Sequence, residues 1–228
     1  MNQEAFKILL PKKMSEYMSA CKGIKYEPKG ISNFEGLCLW TLADLCKPQI
    51  IIESGVSKAR STEILCQIAR NFESDHVYAF EKSPDFEAYV RQKLKKYSNV
   101  TYEIGDSCEK VSSLIASVKN KRVGAFIDGP KKGKAYNLLM KNLSLFPQME
   151  FVVTHDCYIG SPTREAFLEG YRNYFSDKYD LFFTEQSTFP DRSINTSLLQ
   201  EMSKTHPDKM HALDDNCYRI GIITRKSL

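Results

Sequence analysis

From Gln49 onward, short apolar runs alternate with stretches in which apolar residues recur every three to four positions. The runs Gln49–Glu53, His76–Glu81, Val100–Ile104, Arg122–Ile127 and Glu150–Thr154 have the length and content of buried strands. Between them, Ser61–Phe72, Asp85–Tyr97, Cys108–Val118 and Gly133–Leu145 read as amphipathic helices. Ile64, Leu65, Ile68 and Ala69 form the inner face of the first. Ser83-Pro84 opens the second as a cap followed by a first-turn proline, and Pro147 closes the fourth. A helix over Thr163–Phe175 then leads to strands at Tyr179–Thr184 and Tyr218–Thr224. Upstream, helices are expected over Gln3–Cys21 and Asn33–Cys46; in the latter Leu37, Trp40, Leu42 and Leu45 share roughly one face, and Pro48 stops it.

This alternation requires a mostly parallel sheet with helices on both faces. The last step differs, because residues 185–217 hold no full crossover helix, only a short one expected over Asn195–Ser203. The expected fold is therefore α/β: a doubly wound, mostly parallel seven-stranded sheet whose last strand is antiparallel. One domain is expected over 1–228, with 1–32 as an N-terminal helical extension and 185–217 as a substrate-side connection or lid.

Composition narrows the setting. A chain of 228 residues suits one large α/β domain, and 42% hydrophobic with 26% charged residues is enough for a sheet covered on both sides. The net charge of +4 is mild. The clearest basic cluster, Lys131-Lys132-Gly133-Lys134, reads as a solvated helix start, so no nucleic-acid partner is expected. Seven scattered cysteines without a Cys-x-x-Cys argue against a disulfide framework and a structural zinc site. They fit a reducing, cytoplasmic setting. Met1–Lys13 lacks a signal-peptide pattern and no run is long enough to span a bilayer. Oligomeric state stays open, a homo-oligomer included.

In open α/β sheets ligands sit at the carboxyl ends of the strands. After the first strand stands Glu53-Ser54-Gly55-Val56-Ser57-Lys58-Ala59-Arg60-Ser61-Thr62. A glycine directly after a buried strand lets the backbone turn and a ligand approach. Ser61 and Thr62 can cap the following helix, whose free N–H groups favour electron-rich ligand atoms. Neither Gly-x-Gly-x-x-Gly nor Gly-Lys-Ser/Thr is present. Glu81 ends the second strand 26 positions after Gly55, near the spacing of a ribose-binding acid. Asp106, followed by Ser107, can accept from an adenine amino group or cap the next helix; both roles stay open.

Asp128 ends the fourth strand and His155-Asp156 the fifth. Two carboxylates converging on one cleft call for a cation or a shared proton. Asp128 and Asp156 are candidate ligands for Mg2+, and His155 a candidate acid–base or orienting group. The structural alternative has Asp128 capping its turn and His155 packed under the loop. Tyr171, Tyr174, Phe175, Tyr179, Phe182 and Phe183 read as core, whereas Phe189-Pro190-Asp191-Arg192 is a candidate ligand contact.

Taken in order, these stretches resemble the class I S-adenosylmethionine-dependent methyltransferases. More narrowly, they resemble the bacterial small-molecule O-methyltransferase-like group that includes cephalosporin-hydroxylase-type and sugar-tailoring relatives. The family's first motif, approximately Glu-x-Gly-x-x-x-Gly-x-Ser-Thr, stands here as Glu53, Gly55, Ala59, Ser61 and Thr62. The resemblance implies a Rossmann-like fold. It implies S-adenosylmethionine as cofactor, its methionine end at Glu53 and Gly55, Ser61 at the helix start, ribose at Glu81 and adenine near Asp106-Ser107, with Asp128 bordering the same site. Related metal-dependent members place a divalent ion between acids such as Asp128 and Asp156. The implied activity is methyl transfer to a small-molecule hydroxyl acceptor, a sugar or phenolic metabolite, with Asp128, His155 and Asp156 as the catalytic set. Two departures stand out: Ala59 replaces a glycine, and Pro130-Lys131 replaces a histidine and an aromatic. They motivate a second reading, a non-catalytic cofactor-binding or scaffold member of the same fold. A nicotinamide-dependent oxidoreductase is disfavoured by the missing fingerprint glycines.

Overall fold

The computed structural model describes residues 3–25, 30–185 and 219–226. Three helices come first: α1 (Gln3–Lys12), α2 (Met14–Cys21) and α3 (Asn33–Cys46). The alternating part follows as β1 (Ile50–Ser54), α4 (Arg60–Asn71), β2 (His76–Glu81), α5 (Glu87–Leu94), β3 (Val100–Ile104), α6 (Ser107–Val118), β4 (Val123–Ile127), α7 (Gly133–Ser144), β5 (Met149–Thr154), α8 (Pro162–Tyr174) and β6 (Tyr179–Glu185). It closes with β7 (Arg219–Arg225).

All seven strands form one sheet in the order β3-β2-β1-β4-β5-β7-β6. β7 lies antiparallel between β5 and β6, and the other six strands point the same way. The central strands are buried on both faces, which is why they appear as continuous apolar runs. In β1, Ile51 enters the core shared with α1–α5, while Ile50 and Ile52 enter the core shared with α6–α8. The tyrosines and phenylalanines of α8 and β6 pack on these two cores, as the pattern predicts.

Registers position the site. Ser54 aligns with Phe80 on β2 and Ile127 on β4, and Ile127 aligns with Thr154 on β5. The residues after these strands therefore emerge at one level of one sheet edge. Strand order reverses between β1 and β4, so the crevice opens there.

Three local expectations change. The helix expected over Gln3–Cys21 is two helices, with Pro11 in the last turn of α1 and the break at Lys13. Proline cannot donate to the carbonyl four residues back, which weakens the helix at this point. α5 begins at Glu87, because Ser83 Oγ accepts from the Asp85 N–H at 3.2 Å and the Glu87 N–H bonds the Pro84 carbonyl at 2.9 Å, making a turn first. α3 is buried all round from Phe34 to Ala43, since α1, α2 and α4 pack around it on the β5 side of the sheet. The readings over Asn195–Ser203, Phe189–Arg192 and 186–217 lie outside the described residues. No described helix is long and apolar enough to cross a membrane.

Candidate active site

The β1–α4 loop is shaped from three directions. Glu81 Oε2 accepts the N–H groups of Val56 and Ser57 at 2.9 and 2.8 Å, and Oε1 accepts that of Ser83 at 3.0 Å. Gly55 has φ +90°, and a Cβ there would lie 2.8 Å from the Gly129 nitrogen and 2.9 Å from the Asp128 carbonyl carbon. The glycine thus lets the loop approach the end of β4, a packing role beside the ligand approach expected from the sequence. Gly55→Ala is therefore expected to destabilise the cofactor-free protein by about 1–3 kcal/mol. Urea unfolding without cofactor measures this, and an unchanged midpoint would contradict the packing role.

Ala59 keeps a left-handed backbone at φ 62°, the conformation glycine adopts freely, at a strain of roughly 1–2 kcal/mol. It is also the N-cap position of α4 and offers no side-chain cap. The expected caps point elsewhere. Thr62 Oγ1 donates to Glu53 Oε2 at 2.6 Å, and Ser61 is close enough to favour the ionised form of the same acid. Glu53 is fully buried, and its Oε1 has no hydrogen-bond partner among the described residues. Burial pushes this carboxyl up to about 8; the two hydroxyls oppose that, and Asp128 and Glu81 add to it. Glu53 and Ser61 brace the loop from beneath.

Beside the loop an open cleft of ≈ 160 Å³ is lined by Gly55, Glu81, Asp106 and Ser107, together with Phe80, Gly129 and Pro130. Four of the residues expected at a cofactor therefore share one wall. Asp106 plays the cap as well: Oδ1 accepts the Cys108 N–H at 2.9 Å, while Oδ2 lies 3.5 Å from Lys82 Nζ. The Cys108 N–H, aided by Lys82, holds the Asp106 carboxyl below its ordinary range against its partial burial.

A charged cluster adjoins the cleft through Gly129. His155 Nδ1 is 2.9 Å from Asp128 Oδ1 and 3.4 Å from Asp156 Oδ1, and its Nε2 is 3.1 Å from Glu35 Oε1. Lys131 Nζ lies 3.0 Å from Asp128 Oδ1 and in direct contact with Asp156 Oδ2. Burial pulls the His155 ring down, but Glu35 and Asp128 outweigh it and push it up to about 11. Burial likewise opposes ionisation of Asp128, yet His155 and Lys131 hold it below the usual carboxylate range. The carboxylates around the ring therefore favour its protonated form.

Sequence reasoning brought Asp128, His155 and Asp156 to one edge, and they meet there. It missed Glu35. That residue closes a capping box at the start of α3: Oε2 accepts the Ser32 N–H at 2.7 Å and the Ser32 hydroxyl at 2.9 Å, while Oε1 faces His155. The Ser32-x-x-Glu35 spacing signals the cap but not the reach to β5. The solvated-helix reading missed Lys131, which precedes α7 and turns back over the two acids.

No family model matches the chain, and no curated protein does. Solved structures do. An SAH-bound methyltransferase from Podospora anserina aligns with TM-score 0.58 over 95% of this chain and 89% of its own, at 15% identity. An O-methyltransferase from Bacillus cereus in complex with SAH aligns with TM-score 0.59 over 93% of this chain and 90% of its own, at 12% identity. The chain has the class I methyltransferase fold. A TDP-rhamnose 3′-O-methyltransferase of calicheamicin biosynthesis shares this fold, with TM-score 0.55 over 83% of this chain and 93% of its own, at 13% identity. Within the methyltransferase fold of this chain, the cleft lies at the switch point between β1 and β4, and the charged cluster at the ends of β4 and β5.

Proposed function

We propose that the protein is an S-adenosylmethionine-dependent O-methyltransferase acting on a small-molecule hydroxyl acceptor, a sugar or a phenolic metabolite. The observation that carries the reading is the continuity of two sites: a switch-point cleft with Gly55, Glu81, Asp106 and Ser107 in its wall runs, through Gly129, into the Asp128–His155–Asp156 cluster. The SAH-bound neighbours support the cofactor, and the neighbours that are O-methyltransferases support the acceptor class.

The residues present suit the cofactor. Glu81 and Asp106 are carboxylate acceptors for ribose hydroxyls and an adenine amino group, and Phe80 and Pro130 give apolar wall between them. Glu81 gives three of its roughly four acceptor positions to backbone N–H groups, and the remaining one would be left for a ribose hydroxyl. Bound S-adenosylmethionine supplies an electrophilic methyl group. Asp128 uses Oδ1 for both His155 and Lys131, which would leave Oδ2 to take the hydroxyl proton as the methyl passes from the cofactor sulfur to the acceptor oxygen and S-adenosylhomocysteine is left. Lys131 and His155 place positive charge where the oxygen becomes electron-rich, and Asp156 holds Lys131 in place.

Calorimetric titration with S-adenosylmethionine and S-adenosylhomocysteine tests the reading. One equivalent of each is expected to bind, with no response to NADH. A folded sample that gives no heat with either ligand would overturn it. Binding without turnover across a panel of sugars and phenols would return the non-catalytic member of the fold.

A further inference from the structure

The resemblance read from the sequence implies a divalent ion between the acids at the ends of β4 and β5. The donor set of this chain does not fit one. Lys131 Nζ sits at the point the two carboxylates share, 3.0 Å from Asp128 Oδ1 and touching Asp156 Oδ2. The third ligand type in the set, the His155 imidazole, has a carboxylate oxygen close to each nitrogen. Nδ1 is hydrogen-bonded to Asp128 Oδ1 at 2.9 Å, and Nε2 lies 3.1 Å from Glu35 Oε1. An ion entering here must displace an ammonium from both of its acceptors and find ligands among groups already bonded.

We propose that the Lys131 ammonium is the resident cation of this site: it bridges Asp128 and Asp156 in place of a divalent ion and thereby excludes one. Converging carboxylates require a cation, and an ammonium supplies one charge with three rotatable donors. Two of those donors go to the acids, which leaves the third for an acceptor oxygen. Magnesium would have to shed tightly held waters to compete for the same oxygens. The chain geometry fixes the lysine in place. Lys131 is three residues past Asp128, and the Gly129-Pro130 turn between them brings it back over its own strand end. His155 and Glu35 complete the cluster, so three carboxylates face two cations without an added ion.

Mn2+ serves as the probe, its free concentration read by electron paramagnetic resonance in titrations of cofactor-free wild type, Lys131→Met and Lys131→Gln. Circular dichroism and urea unfolding establish that each is folded. Wild type is expected to leave Mn2+ free up to millimolar concentration. The folded variants, with Asp128 and Asp156 unbridged, are expected to bind one equivalent at least ~10-fold more tightly, and to gain unfolding stability as Mn2+ is added. Micromolar binding of Mn2+ by wild type would overturn the proposal. So would folded variants that bind it no better than wild type. The wild-type titration decides even where a variant fails to fold. Ion binding is read without any methyl acceptor or cofactor, so a failure here is separate from a failure of the methyltransferase reading.

Discussion

Asp128→Asn is expected to lower methyl transfer about 10²–10⁴-fold while S-adenosylhomocysteine still binds within roughly threefold of wild type. The substitution keeps the shape of the side chain and removes its charge and its capacity to take a proton. Asp128 is the residue on which the cluster converges, since His155 Nδ1 and Lys131 Nζ both reach its Oδ1, at 2.9 and 3.0 Å. With an amide there, Lys131 turns wholly toward Asp156 and His155 toward Glu35, and neither presents charge to the acceptor oxygen in the same way. The cleft proposed for the cofactor begins a residue away, at Gly129, and is lined by Gly55, Glu81, Asp106 and Ser107, none of which the change alters. Removing one member of a buried ion pair also costs about 3–5 kcal/mol of stability, so the comparison belongs well below the melting temperature of the variant. Rates are compared on whichever sugar or phenol supports wild-type release of S-adenosylhomocysteine, and affinity by calorimetry. A variant that retains more than about a tenth of the wild-type rate would remove Asp128 from the chemistry. One that loses S-adenosylhomocysteine binding in step with rate would make it a cofactor residue instead.

What could be read from the sequence divides along physical lines. β2, β3 and α3 have the bounds the pattern predicts, because each is a short apolar run or periodic stretch between turn residues. The antiparallel last strand follows from a connection whose sequence shows no full crossover helix, and the sheet bears it out. The burial of α3 on every side did not follow from its pattern. Periodicity describes one face, whereas the second cover, from α1 and α2, is a tertiary fact.

The site divides in the same way. Gly55, Glu81, Asp106 and Ser107 could be placed because a parallel sheet brings successive strand ends to one edge. Thr62 could not, because a hydroxyl at a helix start serves equally as a cap or as a donor to a buried acid behind it. Only the left-handed Ala59 and the inward turn of Glu53 decide between the two. Glu35 was hidden for a different reason. Its local pattern is fully accounted for by one carboxylate oxygen, and the contact that matters is made by the other, across to β5.

Glu53→Gln should change the pH dependence of stability more than any other single substitution beneath the loop. In the folded chain the Glu53 carboxyl is pushed up to about 8, against an ordinary value of 4.5, chiefly by complete burial and further by Asp128 and Glu81. Its Oε2 takes the Thr62 hydroxyl, and Oε1 has no hydrogen-bond partner among the described residues. Below about pH 4.5 both folded and unfolded chains hold this proton, and Glu53 contributes nothing to the pH slope. Between there and about pH 8 the unfolded chain has released it and the folded chain has not. The native state then binds more protons, so wild-type stability falls as pH rises, by up to about 1.4 kcal/mol per pH unit from this group. Above about 8 the loss levels off. Glutamine has no such titration. It still accepts from Thr62 and leaves its amide where Oε1 now lies, a fixed offset of about 1–3 kcal/mol that pH does not alter. The unfolding free energy of the variant minus that of wild type, from urea titrations across this range, is therefore expected to rise by about 3–4 kcal/mol between pH 5 and pH 8 and then hold steady. Parallel curves would mean that Glu53 is ionised in its buried position at neutral pH. The loop that carries Gly55 would then rest on a negative charge rather than on a neutral acid.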